Sequence, residues 1–193
     1  MKPILSSQDL EQCLNHGDIV LYPTDTVWGL GCLVNNKDQV SKVYAIKERS
    51  RDQGIILLCS HYDQLGINLD ETTQRAIEIF RHERPTTFVV GNTNSMLSPT
   101  EAKDGTIAFR IVEHSSYLAP ILKNLSAPLL STSANLKGKK PAQRRKELDV
   151  DLMAQVDGIV EFTETKGPAK PSRIMLYELR KHRQRYECGR LPH

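Results

Sequence analysis

The sequence predicts an α/β fold, one domain built on a mixed β-sheet with flanking helices. Stretches of helical periodicity alternate with short apolar, β-rich stretches, the pattern that lays helices against a sheet. Ile55-Ile56-Leu57-Leu58-Cys59 is continuously apolar, as a central strand covered on both faces must be. No internal repeat and no linker-like stretch divides the 193 residues, so 1–193 reads as a single domain.

Taken in order, Ser7 to Leu14 reads as a short helix. Ser6 or Ser7 can cap it, Leu10 and Leu14 share a face, and His16-Gly17 ends it. Ile19 to Tyr22 is the first strand and runs into Pro23, which has no N–H to give a ladder. Thr24-Asp25-Thr26-Val27-Trp28-Gly29-Leu30-Gly31-Cys32 follows and reads as a glycine-marked turn, with small hydroxyls around one carboxylate and the lone Trp. Asn36-Lys37-Asp38 opens a helix to about Lys47, with Val40, Val43, Tyr44 and Ile46 as its apolar stripe. A charged segment, Lys47 to Gly54, leads into the strand Ile55 to Cys59.

Glu71 to Phe80 is an amphipathic helix with Ala76, Ile77 and Phe80 inward, and Thr86 to Val90 is a β-rich run after Pro85. Asn92 to Asp104 reads as a polar loop. Thr106 to Val112 is a strand on which Phe109 and Ile111 point one way and Arg110 the other. Ser115 to Leu125 is a helix whose Pro120 belongs in the first turn or at a kink. Leu129 to Ser131 is a short strand ending in Ser131-Thr132-Ser133-Ala134-Asn135. A basic loop, Lys137 to Lys146, precedes a helix (Glu147 to Val156) and a strand (Gly158 to Phe162). Arg173 to Leu179 and Gln184 to Glu187 are the last β-like runs.

Bulk properties exclude several classes. A net charge of +3 is too small to argue for nucleic acid by itself. No apolar run approaches the roughly 18 residues of a membrane span, and the N-terminus turns polar too soon for a signal peptide. Cys13, Cys32, Cys59 and Cys188 are scattered without a Cys-x-x-Cys pair, which speaks against a zinc site or disulfide framework and fits a reducing cytoplasm.

Four polar clusters can carry chemistry. The Thr24–Gly31 stretch stands at a strand's C-terminal end, where α/β proteins place ligands, although an ordinary turn explains it as well. Lys47, Arg49 and Arg51 close a helix; Lys47 and Arg51 are one helical turn apart and could project from one face. They either complement the helix dipole or clamp phosphates. Arg110 must face solvent, a partner or a ligand. Ser131, Thr132, Ser133 and Asn135 offer more hydrogen-bonding groups than a helix cap uses. No Walker A, Gly-x-Ser-x-Gly or His-Glu-x-x-His motif is present, and the six histidines are dispersed. Hydroxyls, amides and cations without a nucleophile suit a reaction run by positioning and electrostatics, as phosphoryl and nucleotidyl transfer are.

Certain motifs stand in one order: Tyr22-Pro23-Thr24-Asp25-Thr26-Val27-Trp28-Gly29-Leu30-Gly31, Lys47-x-Arg49 with Gly54, Pro85-x-Thr87-Phe88, Ala108-Phe109-Arg110, Ser131-Thr132-Ser133-Ala134-Asn135-Leu136-x-Gly138 and Pro171-Ser172. In this the chain resembles, over essentially its whole length, the YrdC family of L-threonylcarbamoyladenylate synthases, in the short bacterial (TsaC-like) form without an added C-terminal domain. The resemblance implies a YrdC-like twisted sheet with a concave basic cleft. It implies formation of threonylcarbamoyl-AMP, pyrophosphate and water from L-threonine, bicarbonate and ATP. A separate transferase complex would pass the threonylcarbamoyl group to adenosine 37 of tRNAs reading ANN codons.

Carried over by motif, Thr24 would help hold threonine, while Lys47, Arg49 and Arg51 would hold phosphates and the carbamate or carboxylate. Thr106 and Arg110 would line the cleft, Arg110 pairing with the threonine carboxylate. Ser131, Ser133 and Asn135 would bind the adenylate and Ser172 would close the site. Mg²⁺ would come with ATP, held largely by phosphates and water. The chain departs from the family pattern at Ser50, where proline is usual, at Glu83-Arg84-Pro85 in place of Pro-Gly-Pro, and at Glu187-Cys188-Gly189-Arg190 in place of a late Arg-x-Gly. The alternative reading is a YciO-like paralogue that binds RNA through Lys137, Lys139, Lys140, Arg144, Arg145 and Lys146 and through Arg180 to Arg185.

Overall fold

A computed structural model describes residues 2–83, 85–162 and 173–176. Their strands form one mixed sheet in the order β1-β8-β2-β3-β7-β4-β6-β5-β9. In chain order these are β1 (Lys2–Ile4), β2 (Val20–Pro23), β3 (Trp28–Leu33), β4 (Ile56–Cys59), β5 (Thr86–Gly91), β6 (Thr106–Ile111), β7 (Leu129–Ser133), β8 (Gly158–Val160) and β9 (Arg173–Leu176). The helices are α1 (Ser7–His16), α2 (Lys37–Ile46), α3 (Glu71–Glu83), α4 (Leu118–Asn124) and α5 (Val150–Met153). The α/β class and the mixed sheet are as the sequence predicts. Gln184 to Glu187 lies outside the described residues.

Local chemistry sets the element ends. The Ser6 hydroxyl accepts from Asp9 N–H to start α1, and Gly17, at φ 101°, ends it in the left-handed region. Asn36 caps α2 through Gln39 N–H. Pro120 falls in the first turn of α4, where its missing N–H costs no helical bond. The helix expected from Glu147 shrinks to α5, and Asn92 to Asp104 contains a 3-10 turn, Ser95–Thr100.

The main correction concerns Trp28 to Leu33. These residues are not a turn but a fully buried strand, pairing antiparallel with β2 on one side and β7 on the other. Its glycines are dictated by neighbours. A Cβ on Gly31 would stand 2.3 Å from Leu130 O, and one on Gly29 would stand 3.0 Å from the Tyr22 ring. β1 also went unpredicted, because it exists only through its parallel pairing with β8.

Two apolar layers fill the molecule, one on each face of the sheet. Leu57, Phe109 and Leu130 pack with Val40 and Val43 of α2 and Ile77 of α3. Leu33, Leu58 and Leu129 pack on the opposite face with Leu10 and Leu14 of α1 and Leu118, Ile121 and Leu122 of α4. The register continues this second face: Gly31 is paired with Ser131, Ser131 with Ile56, and Ile56 with Ala108, while Gly29 is paired with Ser133. Ser133, Ile56 and Ala108 are only half-buried, so the helices leave this patch of small and polar residues open.

Candidate functional site

The β2–β3 connection, Thr24 to Val27, overhangs the open patch. Thr24 Oγ1 donates to Val27 O at 2.7 Å, accepts from the N–H groups of Thr26 and Val27, and lies 3.0 Å from Thr26 Oγ1. The hydroxyl is therefore spent on the turn, and the Thr24 methyl lies toward Gly29. Asp25 reaches out of the turn, and its Oδ1 accepts from Arg110 Nη2 at 2.8 Å. The arginine side chain is 8% exposed and the aspartate 31%. β2 and β6 stand four places apart in the sheet, about 19 Å at ordinary strand spacing. Their contact requires the sheet to curl or the turn to reach across the face, and it walls one side of the patch. Tyr117 OH supports the same wall by donating to Pro23 O at 2.7 Å.

A second wall is built around Lys47. Helix α2 stops at Ile46, and Glu48, at φ 45°, turns the chain away. Lys47 Nζ donates to Ser133 O at 2.8 Å, Asn135 O at 2.5 Å and Asn135 Oδ1 at 2.9 Å. An ammonium has three donors, and all three go to this segment. Ser133 Oγ donates to the same Asn135 Oδ1 at 2.5 Å. Burial, with the nearby Arg49 charge, lowers the Lys47 pKa to about 8. Arg49 Nη2 donates to Gln53 O at 2.7 Å, and its buried Nε has no partner among the described residues. Burial also pulls the Arg49 pKa down.

The expected alignment of Lys47 and Arg51 on one helical face is not realised, because the left-handed Glu48 breaks the helix between them. Arg51 lies 4.4 Å above the centre of the Tyr44 ring and donates to Ser41 Oγ and Pro99 O. There it lines a surface depression with Asp52 and Ser98.

The floor between the walls contains Ser131, whose Oγ accepts from Tyr22 OH at 2.7 Å. In the sequence Tyr22 reads only as the end of an apolar strand. Its alternation with Val20 onto one face, opposite Gly29 and Gly31, was the available signal. Thr106 shares the face of Ala108 and Arg110 by alternation and donates its hydroxyl to Asp104 Oδ1 at 2.7 Å. The structure thus brings Lys47, Ser133 and Asn135 into contact, with Ser131 one strand alternation away and Arg110 tied to Asp25. Ser172, Arg84, Glu187 and Arg190 lie outside the described residues.

Three cations of the basic loop are paired within the chain. Lys137 pairs with Glu48 at 3.6 Å, Lys139 with Asp149 and Arg145 with Glu161. Cys13, Cys32 and Cys59 are buried free thiols; Cys188 lies outside the described residues. Among the described residues no helix is long and apolar enough to cross a membrane, and no group of three His, Cys, Asp or Glu side chains stands ready for a metal ion.

Comparison with known proteins places the chain in a family. Residues 12–185 match the Sua5/YciO/YrdC family, described as Telomere recombination. A protein named threonylcarbamoyl-AMP synthase from Xanthomonas campestris pv. campestris (strain B100) is 34% identical over 165 residues, covering 83% of this chain and 87% of that one. The crystal structure of P. abyssi Sua5 complexed with L-threonine superposes with a TM-score of 0.73 at 21% identity over 91% of this chain, which spans about half (54%) of that protein. E. coli YciO superposes with a TM-score of 0.73 at 22% identity over 92% of this chain and 88% of its own. At these identities the two structures speak for the fold.

Proposed function

The chain belongs to the Sua5/YciO/YrdC family, and from that membership we propose that it is a threonylcarbamoyl-AMP synthase. The observation that carries the reading is the contact of Lys47 with Ser133 and Asn135 beside Arg49. It assembles two cations, a hydroxyl and an amide from two chain segments at the edge of the open face; their hydrogens brace one another, and what they offer a triphosphate is a rigid concentration of positive charge.

In this reading the threonine nitrogen takes up carbon from bicarbonate and releases water. A carbamate oxygen then attacks the α-phosphorus of ATP, the α–β phosphoanhydride bond breaks, and pyrophosphate leaves. The protein's work is alignment and charge compensation. Arg110, already oriented by Asp25, receives the threonine carboxylate, and Thr24 contributes its methyl and the shape of the turn. Lys47, its three hydrogens spent within the chain, supplies positive charge beside the phosphates and the carbamate together with Arg49, with Arg51 at the outer edge. Ser131, Ser133 and Asn135 take the adenylate, Thr106 lines the far side of the cleft and Ser172 closes it. Mg²⁺ accompanying ATP would supply further compensation of the phosphate charge. The product passes to a threonylcarbamoyl transferase complex acting on tRNA in the cytoplasm.

Purified protein incubated with ATP, L-threonine and bicarbonate is expected to release pyrophosphate only when threonine is present. Absence of release, with a synthase of the same family active in parallel, overturns the reading. An RNA-binding protein without this chemistry would instead show steeply salt-dependent RNA affinity and no pyrophosphate; the ion pairs that occupy Lys137, Lys139 and Arg145 weigh against it.

A further inference from the structure

Tyr22 is fully buried at the end of β2, yet its hydroxyl is the one that meets Ser131 in the floor of the open face. Its ring lies along β3 in the space that side chains at Gly29 and Gly31 would fill: a Cβ at Gly31 would stand 2.9 Å from the hydroxyl oxygen. The phenol is therefore held in place from below. Burial also raises its pKa, so it stays protonated throughout the working pH range. Tyr22 OH donates and Ser131 Oγ accepts, at 2.7 Å. A serine hydroxyl whose oxygen accepts such a bond still has one hydrogen to give. Ser131, itself 8% exposed, stands on the face that carries the half-buried Ser133, Ile56 and Ala108.

We propose that Tyr22 is a positioning residue that fixes Ser131 as a hydrogen-bond donor toward an anionic or carbonyl oxygen of the substrate. The inference rests on the functional reading above and deepens it, because it assigns a polarity to one subsite. Two hydroxyls in series polarise one another, so the second donates more strongly than a free serine does. The chemistry that fits is an oxygen with no hydrogen of its own, such as a phosphoryl or carboxyl-derived oxygen. A ligand group that only donates would leave the Ser131 hydrogen without an acceptor.

The test is a double-mutant cycle on the full chain with Tyr22→Phe, Ser131→Ala and both together. Each is read as kcat and KM for threonine-dependent pyrophosphate release and as calorimetric affinity for ATP with L-threonine. Loss of one net hydrogen bond corresponds to about five-fold. Tyr22→Phe is expected to lose about that factor, and the double variant to be no worse than Ser131→Ala, because Tyr22 acts only through Ser131. A merely structural Tyr22 would lower the melting temperature and multiply its loss with that of Ser131→Ala. Multiplying losses, an unchanged Tyr22→Phe protein, or absence of ligand binding in all four proteins overturns the inference. Binding that follows the cycle while wild-type protein releases no pyrophosphate overturns the functional reading alone.

Discussion

Replacing Asp25 by alanine isolates the wall of the open face. Arg110 is 8% exposed on its side chain and has one charged partner, Asp25 Oδ1 at 2.8 Å, while its Nε has none among the described residues. Removing one partner of a fully buried pair costs about 3–5 kcal/mol, because the remaining charge is stranded. Asp25 is 31% exposed, so water can take over part of its place, and about 2 kcal/mol is the expected loss. In a chain of 193 residues that lowers the melting temperature by about 4–8 °C. Arg110→Met removes the stranded charge itself and leaves a carboxylate that water already reaches. Adding it to Asp25→Ala should therefore restore part of the loss, and thermal and urea melts of the four proteins measure this. A melting temperature for Asp25→Ala within about 1 °C of wild type, or a double variant less stable than Asp25→Ala, refutes the account of a buried charge held by its partner.

Other consequences are as direct. Lys47→Met strands the acceptors at Ser133 and Asn135, so the protein should lose about 1–3 kcal/mol in urea melts and nearly all pyrophosphate release. Lys47 sheds its proton as pH rises through about 8, so the KM for ATP should climb above that pH in wild type and stay flatter in Lys47→Arg, measured from pH 6.5 to 9.5, a range set around that value and below the arginine pKa. Gly31→Ala drives a Cβ to 2.3 Å from a backbone oxygen that cannot yield, so it should cost at least about 2 kcal/mol in urea melts, whereas Gly138→Ala, with open space around it but φ 77°, should cost about 1 kcal/mol.

How far the sequence reached depended on range. The unbroken apolar run at Ile56 to Cys59 and the periodic apolar stripe of α2 are signals contained in a few residues, and both elements form as expected. Trp28 to Leu33 departs from the expected turn because its glycines serve close packing in a strand. The reason for Gly29 and Gly31 lies in the Tyr22 ring and Leu130 O, which local periodicity does not contain. The site behaves alike. Lys47, Ser133, Asn135 and Arg110 were recognisable as residue types at motif spacing, but their pairing spans 88 residues for Lys47 with Asn135 and 85 for Arg110 with Asp25. Arg51 shows the converse failure: helical spacing was extended through Glu48, whose left-handed backbone ends the helix.

Tyr22, Gly29 and Gly31 amount to one side chain shared by two strands. The phenol supplies the bulk and the glycines supply the room, so these positions cannot vary independently. A descendant that trades Tyr22 for a small residue opens a void above β3 that a larger residue at Gly29 could fill. Gly31 gains no such freedom, because Leu130 O still blocks it. Drift at this floor is thus confined to paired changes at 22 and 29, and each such pair would also disconnect Ser131.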